Sequence, residues 1–157
     1  MPVRRLKEFL DREGIKYVSI RHSPAFTSQE IAASAHIRGK DLMKTVVVKL
    51  DGQIALAVVS ASARVDLELL RQAAGAQKAE LASEADFINA FPECELGAMP
   101  PFGNLFEIPV YVDAQLSEDT EIAFNAGTHS ELIRMSYDDF EKLVQPKVVR
   151  LSVGVPA

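Results

Sequence analysis

The chain has 157 residues, 48% hydrophobic and 25% charged, which is the balance of an ordinary folded protein and the length of one compact domain spanning 1–157. This composition excludes a disordered chain, a collagen-like repeat and a disulfide scaffold, and no apolar run nears the roughly 20 residues that span a bilayer. The net charge of −5 argues against tight non-specific binding to nucleic acid, which draws on phosphate neutralisation. The charge is uneven. Residues 1–78 hold 13 basic and 8 acidic side chains (net +5), and residues 79–157 hold 4 and 14 (net −10). Either one face tolerates a polyanion, or folding intermixes the halves. A single cysteine, Cys94, and a charged N-terminus without the apolar block of a secretory signal point to the cytoplasm.

In chain order, Leu6, Phe9 and Leu10 share a face of a helix over 3–13, which Gly14 stops. Residues 17–20 read as a short strand. Thr27 and Glu30 have the form of a capping box ahead of a short helix through Ala35. The strongest β signal is the pair 43–50 and 54–59 across Asp51-Gly52, a hairpin signature. A helix over 66–74 is closed by Gly75. Ser83 caps another through Phe91, with Phe87, Ile88 and Phe91 as its apolar stripe. Between Pro92 and Pro109 lie four of the eight prolines, and this stretch reads as one long rigid loop. Strands resume at 108–112, 121–125 and 131–135, with Ala126–His129 turning between the last two. A helix over 137–144 and a strand over 147–153 complete the chain. The irregular alternation predicts an α+β fold, and no glycine-rich loop opens a helix to hold a nucleotide.

Little local chemistry stands out. The histidines His22, His36 and His129 have no ligand spacing between them, and no nucleophile elbow is present. Neither a metal nor a cofactor is therefore expected. Cys94 lies between Glu93 and Glu95, which disfavours a thiolate. Lys44 is more informative. Alternation puts it with Val46 and Val48 on one strand face, with Thr45, Val47 and Lys49 on the other. A lysine at the mouth of an apolar strand either snorkels to water or serves a pocket, since a buried ammonium needs an anion or a carbonyl. The segment Gly97-Ala98-Met99-Pro100-Pro101-Phe102-Gly103 is stiff. It is either a ligand wall or a structural loop that packs Phe102 on the sheet. Gly127-Thr128-His129 either aims amides at a cleft or is plain turn chemistry, and His22 serves to order the loop toward Thr27.

Together these segments resemble the YbaK/ProX family of aminoacyl-tRNA deacylases, found also as the editing domain of bacterial prolyl-tRNA synthetases. The resemblance rests on His22-Ser-Pro-Ala-Phe-Thr27 with its following helix, on Gly39, and on Lys44 opening the valine-rich strand. It rests also on Ala57-Val58-Val59, the Gly97–Gly103 loop and Gly127-Thr-His129. It implies a mixed, largely antiparallel, barrel-like β-sheet with flanking helices, and hydrolysis of the ester joining a wrong, small amino acid to tRNA.

By the same resemblance, Lys44, Gly97, Gly103, Gly127 and His129 are the catalytic candidates. His22, Thr27, Thr45, Met99, Pro100, Pro101, Phe102 and Thr128 are the substrate-binding ones. With no obvious general base beside these donors, the expected mechanism is substrate-assisted: amides of the Gly97–Gly103 or Gly127–His129 loops stabilise the oxyanion, Lys44 positions the ester and a ribose hydroxyl helps the water. The implied partner is the tRNA acceptor end, with an aminoacyl-tRNA synthetase as a further partner and neither DNA nor membrane. Arg4, Arg5, Lys7, Arg38 and Lys40 are the candidate phosphate contacts, few enough for a shallow salt dependence. The alanyl-prolyl branch of the family carries asparagine where this chain has Thr45, so the amino acid removed stays open. The alternative is a binding module of the same fold that docks on a synthetase or holds a nucleotide-like ligand.

Overall fold

A computed structural model describes residues 2–21, 41–91, 94, 98–128 and 131–154. The expected cap at Thr27, its helix and the candidate contacts Arg38 and Lys40 lie outside these residues, as do His22, Gly97 and His129. Helix α1 (Pro2–Arg12) buries Leu6 and Leu10 completely. Strands β1 (Tyr17–Arg21), β2 (Met43–Leu50) and β3 (Gln53–Ser60) follow, the last two joined by Asp51 and Gly52, both at positive φ as a tight hairpin requires. Next come β4 (Ala63–Val65) and α2 (Leu67–Ala74), which Asp66 caps by accepting from the Leu69 amide at 3.0 Å. Strand β5 (Ala79–Leu81) and α3 (Glu84–Ala90) come next, and Ser83 and Asp86 form a capping box at the start of α3.

The proline segment carries one 3-10 turn, Gly103–Leu105, before β6 (Val110–Asp113). After a second 3-10 turn come β7 (Glu121–Asn125), β8 (Glu131–Ser136), α4 (Tyr137–Val144), β9 (Lys147–Val149) and β10 (Ser152–Gly154).

The strands form sheets of order β5-β2-β3-β6-β9 and β1-β8-β7, with β4 and β10 as a separate pair. The first two meet at a parallel bridge between Leu42 and Ala123, where the Ala123 amide donates to Asp41 O at 2.9 Å. Only β3–β6 and β6–β9 pair in parallel among the strand ladders, so the sheet is mixed and largely antiparallel. Both sheets end in open edges, and no closed barrel forms among the described residues.

Alternation along β2 and β3 sorts two cores. Met43, Leu56 and Val58 face a layer containing Leu6, Leu10, Phe102, Phe124 and Phe140. Val48, Ala55, Ala57 and Val59 face Leu70 of α2, Tyr111 and Leu151. A small third cluster, Leu42, Ala61, Ala123 and Leu132, fills the seam between the sheets.

Three expectations are corrected. Ile88 is 52% exposed and lies off the buried line of Phe87 and Phe91, because one residue is a 100° turn of the helix. The expected strand over 147–153 is two strands with different partners: β9 joins β6 and β10 joins β4. The buried Asp113 carboxylate fixes that break by accepting from the Leu151 amide at 3.2 Å and from the Ser152 hydroxyl. The strand expected at 108–112 begins at Val110, because the Ile108 amide is turned back onto Gly103 O at 2.9 Å.

Candidate active site

Lys44 is half-buried, on the strand face that carries Val46 and Val48. Its ammonium donates to Ala63 O at 2.8 Å. Burial lowers its pKa below the ordinary 10.5, and the nearby Arg64 guanidinium lowers it further. The side chain is thus neither fully buried nor free in solvent. One of its three N–H donors is spent on a backbone carbonyl, and no carboxylate pairs with it among the described residues.

The bridge at the seam decides what lies beside it. Two residues beyond Leu42 is Lys44, and two residues beyond Ala123 is Asn125. Because the bridge is parallel, both positions follow it in the same direction, and alternation gives Lys44 the parity of Leu42 and Asn125 that of Ala123. The Asn125 Oδ1 is buried and accepts no hydrogen bond among the described residues. Sequence reasoning misses Asn125. The signal that could have found it is an asparagine ending an apolar strand, a position that strand preference disfavours.

The other candidates divide. Ala126 and Gly127 are buried, Thr128 is half-buried, and Gly127 sits at φ +104°. The Gly127 amide donates to Ala98 O at 2.9 Å, so the turn and the proline segment are tied directly. The turn is held from the other side by the Ala126 amide donating to Glu131 O at 3.1 Å.

Met99, Pro100, Pro101 and Phe102 are all buried. The Phe102 ring packs on Phe124, Phe140 and Phe9 with centroids 5.3, 5.5 and 6.2 Å away. These side chains anchor the segment in the core, which leaves its backbone as the part able to face a ligand. Gly103 is required for close packing: a Cβ there would lie 2.3 Å from Ile108 O and 2.6 Å from a Val110 methyl. Thr45 is half-buried and belongs to the opposite face of β2 from Lys44. Cys94 contacts the Met99 sulfur at 3.7 Å.

Glu131, at the start of β8, is 7% exposed. Its Oε2 accepts from Lys7 Nζ and Ser19 Oγ, each at 2.6 Å. Burial alone would raise its pKa. The bonds from Lys7 and Ser19, with the charges of Lys7 and Arg21, outweigh that, and the net shift is downward. This pair fastens α1 to the strand that leaves the turn. Among the described residues no cluster of three His, Cys, Asp or Glu side chains is placed to hold a metal.

A half-buried lysine follows the bridge on one strand, an acceptor with no partner among the described residues follows it on the other, and two loops are tied beyond that acceptor; the order of segments that builds them matches a known family. The family model described as the aminoacyl-tRNA editing domain matches residues 22–143. The chain belongs to that family. The multifunctional Ser/Thr-tRNA deacylase ProXp-y of Escherichia coli K12 is 31% identical over 153 residues, covering 92% of this chain and 89% of the relative. Its counterpart in Escherichia coli O157:H7 matches equally.

Two solved structures share the fold. A proposed trans-editing enzyme for prolyl-tRNA synthetase superposes with a TM-score of 0.82 at 24% identity, covering 98% of both chains. A hypothetical protein superposes at 0.85 and 19% identity, covering 94% of this chain and 99% of the other. The editing-domain chain is an aminoacyl-tRNA deacylase that hydrolyses the ester of mischarged aminoacyl-tRNA. No helix among the described residues is long and apolar enough to cross a membrane.

Proposed function

We propose that the 1–157 chain works as one editing domain that receives the aminoacylated 3′ end at the β2–β7 seam and removes small amino acids of the serine and threonine type. The observation that carries this is the Lys44 ammonium, half-buried and bonded to a backbone carbonyl where the start of β2 bridges to β7, the strand whose buried Asn125 Oδ1 has no partner among the described residues. Among the described residues two N–H donors on Lys44 remain for a phosphate or ester oxygen. The Asn125 Oδ1 suits an N–H or O–H of the aminoacyl group, and a site that hydrogen-bonds a substrate hydroxyl rejects analogues lacking it. Backbone amides of the 97–103 and 127–129 segments stabilise the oxyanion as it forms. A ribose hydroxyl assists the attacking water, because no general base accompanies these donors among the described residues. Gly97, Thr27, His22 and His129 keep their expected roles within this proposal, and Gly103 and Phe102 hold the wall in place.

The similarity to a Ser/Thr-tRNA deacylase supports the substrate class. The structural likeness to a proposed trans-editing enzyme for prolyl-tRNA synthetase supports tRNA-Pro as carrier and a synthetase as partner. Cytoplasmic action is part of the same reading, supported by the single cysteine.

The test incubates the protein with a panel of mischarged tRNAs and follows release of labelled amino acid. Seryl and threonyl esters should be cleared fastest, with bulky aminoacyl esters spared. Equal turnover of simple amino-acid alkyl esters and aminoacyl-tRNA would overturn the tRNA-directed reading, and no turnover of any charged tRNA would favour the binding-module alternative.

A further inference from the structure

A groove of about 580 Å³ runs between α1 and the turn after the proline segment, bounded by Arg5, Phe9, Arg12, Ala90 and residues 104–107. Arg5 and Arg12 are two helical turns apart and project from one ridge of α1, with Phe9 between them. Each guanidinium lies over a ring: Arg5 is 5.1 Å from the Phe106 centroid and Arg12 is 5.8 Å from that of Phe9. Arg5 also donates to Leu105 O.

The other cations of α1 are engaged by carboxylates, Arg4 by Glu8 at 3.1 Å and Lys7 by Glu131 at 2.6 Å. Arg5 and Arg12 have no ion pair among the described residues, although Glu107 lies on the groove's rim. Among the described residues the helix therefore keeps cations without a carboxylate partner on the ridge that borders the groove. A guanidinium held over a ring is partly pre-organised and, on an exposed side chain, keeps N–H donors for a phosphate.

The geometry points to this groove as the surface that grips the phosphate backbone of the tRNA acceptor arm, through Arg5 and Arg12 and not through Arg4 or Lys7. Helix α1 touches both parts of the site. Phe9 meets Phe102 of the proline segment, and Lys7 holds Glu131 beyond the turn. RNA in the groove thus lies against the same segment whose Ala98 carbonyl is tied to Gly127. This inference rests on the reading that the 3′ end enters at the seam. It also accounts for how a chain of net charge −5 holds RNA, by a local pair of cations and not by overall charge.

The test measures binding of uncharged tRNA across a salt series for the wild type, Arg5→Gln, Arg12→Gln and Arg12→Lys. Lys142→Gln, on α4, is the control for removal of one unit charge. Deacylation of charged tRNA and of 3′-aminoacyl-adenosine is followed in parallel. For every phosphate that a variant no longer neutralises, the slope of log affinity against log salt should become shallower by about 0.7–0.9. Both Gln variants should show this, Arg12→Lys should keep most of the wild-type slope, and Lys142→Gln should leave it unchanged. Turnover of aminoacyl-adenosine should match wild type in every variant. Wild-type slopes in both Gln variants, or an equal change in Lys142→Gln, would overturn the inference. So would loss of aminoacyl-adenosine turnover in Arg12→Gln with the fold intact, since the groove would then act on the chemistry. A wild type that deacylates nothing while its slope still responds to Arg12→Gln would sink the hydrolytic site and leave the groove standing.

Discussion

Replacing Lys44 by methionine separates a structural lysine from a functional one. The change keeps most of the aliphatic stem and deletes the ammonium. It removes one charge-assisted hydrogen bond to Ala63 O, of the class that contributes about 1.5–3 kcal/mol. It also relieves the burial of a cation and its repulsion by Arg64, the two causes that lower the Lys44 pKa. These terms oppose each other, so net stability should change by about 1 kcal/mol or less, a Tm shift of roughly 2–4 °C at this length.

The sign with pH follows from the direction of the shift. A lysine with a depressed folded pKa contributes its stability fully above the unfolded value of 10.5, and that contribution is lost as pH falls through the folded value. Lys44→Met should flatten the stability profile in that alkaline window and leave it unaltered near pH 5. Activity should respond on another scale. Removing one donor to developing negative charge costs roughly 10²–10³ in rate, and single-turnover deacylation at saturating enzyme would read it. A Lys44→Met protein that is folded and within threefold of wild type would refute the assigned role. A variant that unfolds would show the lysine to be structural, and Lys44→Arg would then be expected to restore the fold.

Three further outcomes test the frame around that lysine. Gly103→Ala forces a Cβ to within 2.3 Å of a backbone carbonyl, so thermal melts should show a loss of about 2–3 kcal/mol, with deacylation falling as the segment shifts. A normal melt would show that the crowding relaxes freely. Glu131→Gln should cost about 1.5–3 kcal/mol at pH 7, because the Lys7 and Ser19 bonds lose their charged acceptor. The folded pKa of Glu131 lies below 4.5, so its contribution is complete above 4.5 and lost as pH falls through the folded value. The variant's acid limb should therefore be flatter in urea titrations across pH 2–5, and an unaltered limb would refute the pairing. Asn125→Leu should stabilise the fold by about 1 kcal/mol, since a buried acceptor that has no donor among the described residues is removed, while discrimination between seryl-tRNA and alanyl-tRNA collapses. A destabilised variant that keeps its discrimination would sink the proposed role of Asn125.

Local rules settled much of this molecule before any tertiary neighbour was known. Asp51-Gly52 specified the hairpin through two positive-φ residues. Asp66, Ser83 and Ser136 started helices because each side chain accepts from an amide of the first turn. Alternation along β2 put Lys44 with Val46 and Val48, and the order of motifs was enough to reach the editing family. What the sequence left open depends on which distant segments meet. The Leu42–Ala123 bridge spans 81 positions and sets the start of β2 beside β7, a pairing to which no periodicity within either strand responds. The partner of the Lys44 ammonium is a backbone carbonyl, which side-chain patterns do not encode. The proline segment read equally well as wall or core, and it took the packing of Phe102 among three other rings to show that its side chains serve the core. Periodicity reports which face of an element is apolar, whereas the seam, the buried Asn125 acceptor and the arginine groove come from long-range pairing, where burial of the whole chain decides the register.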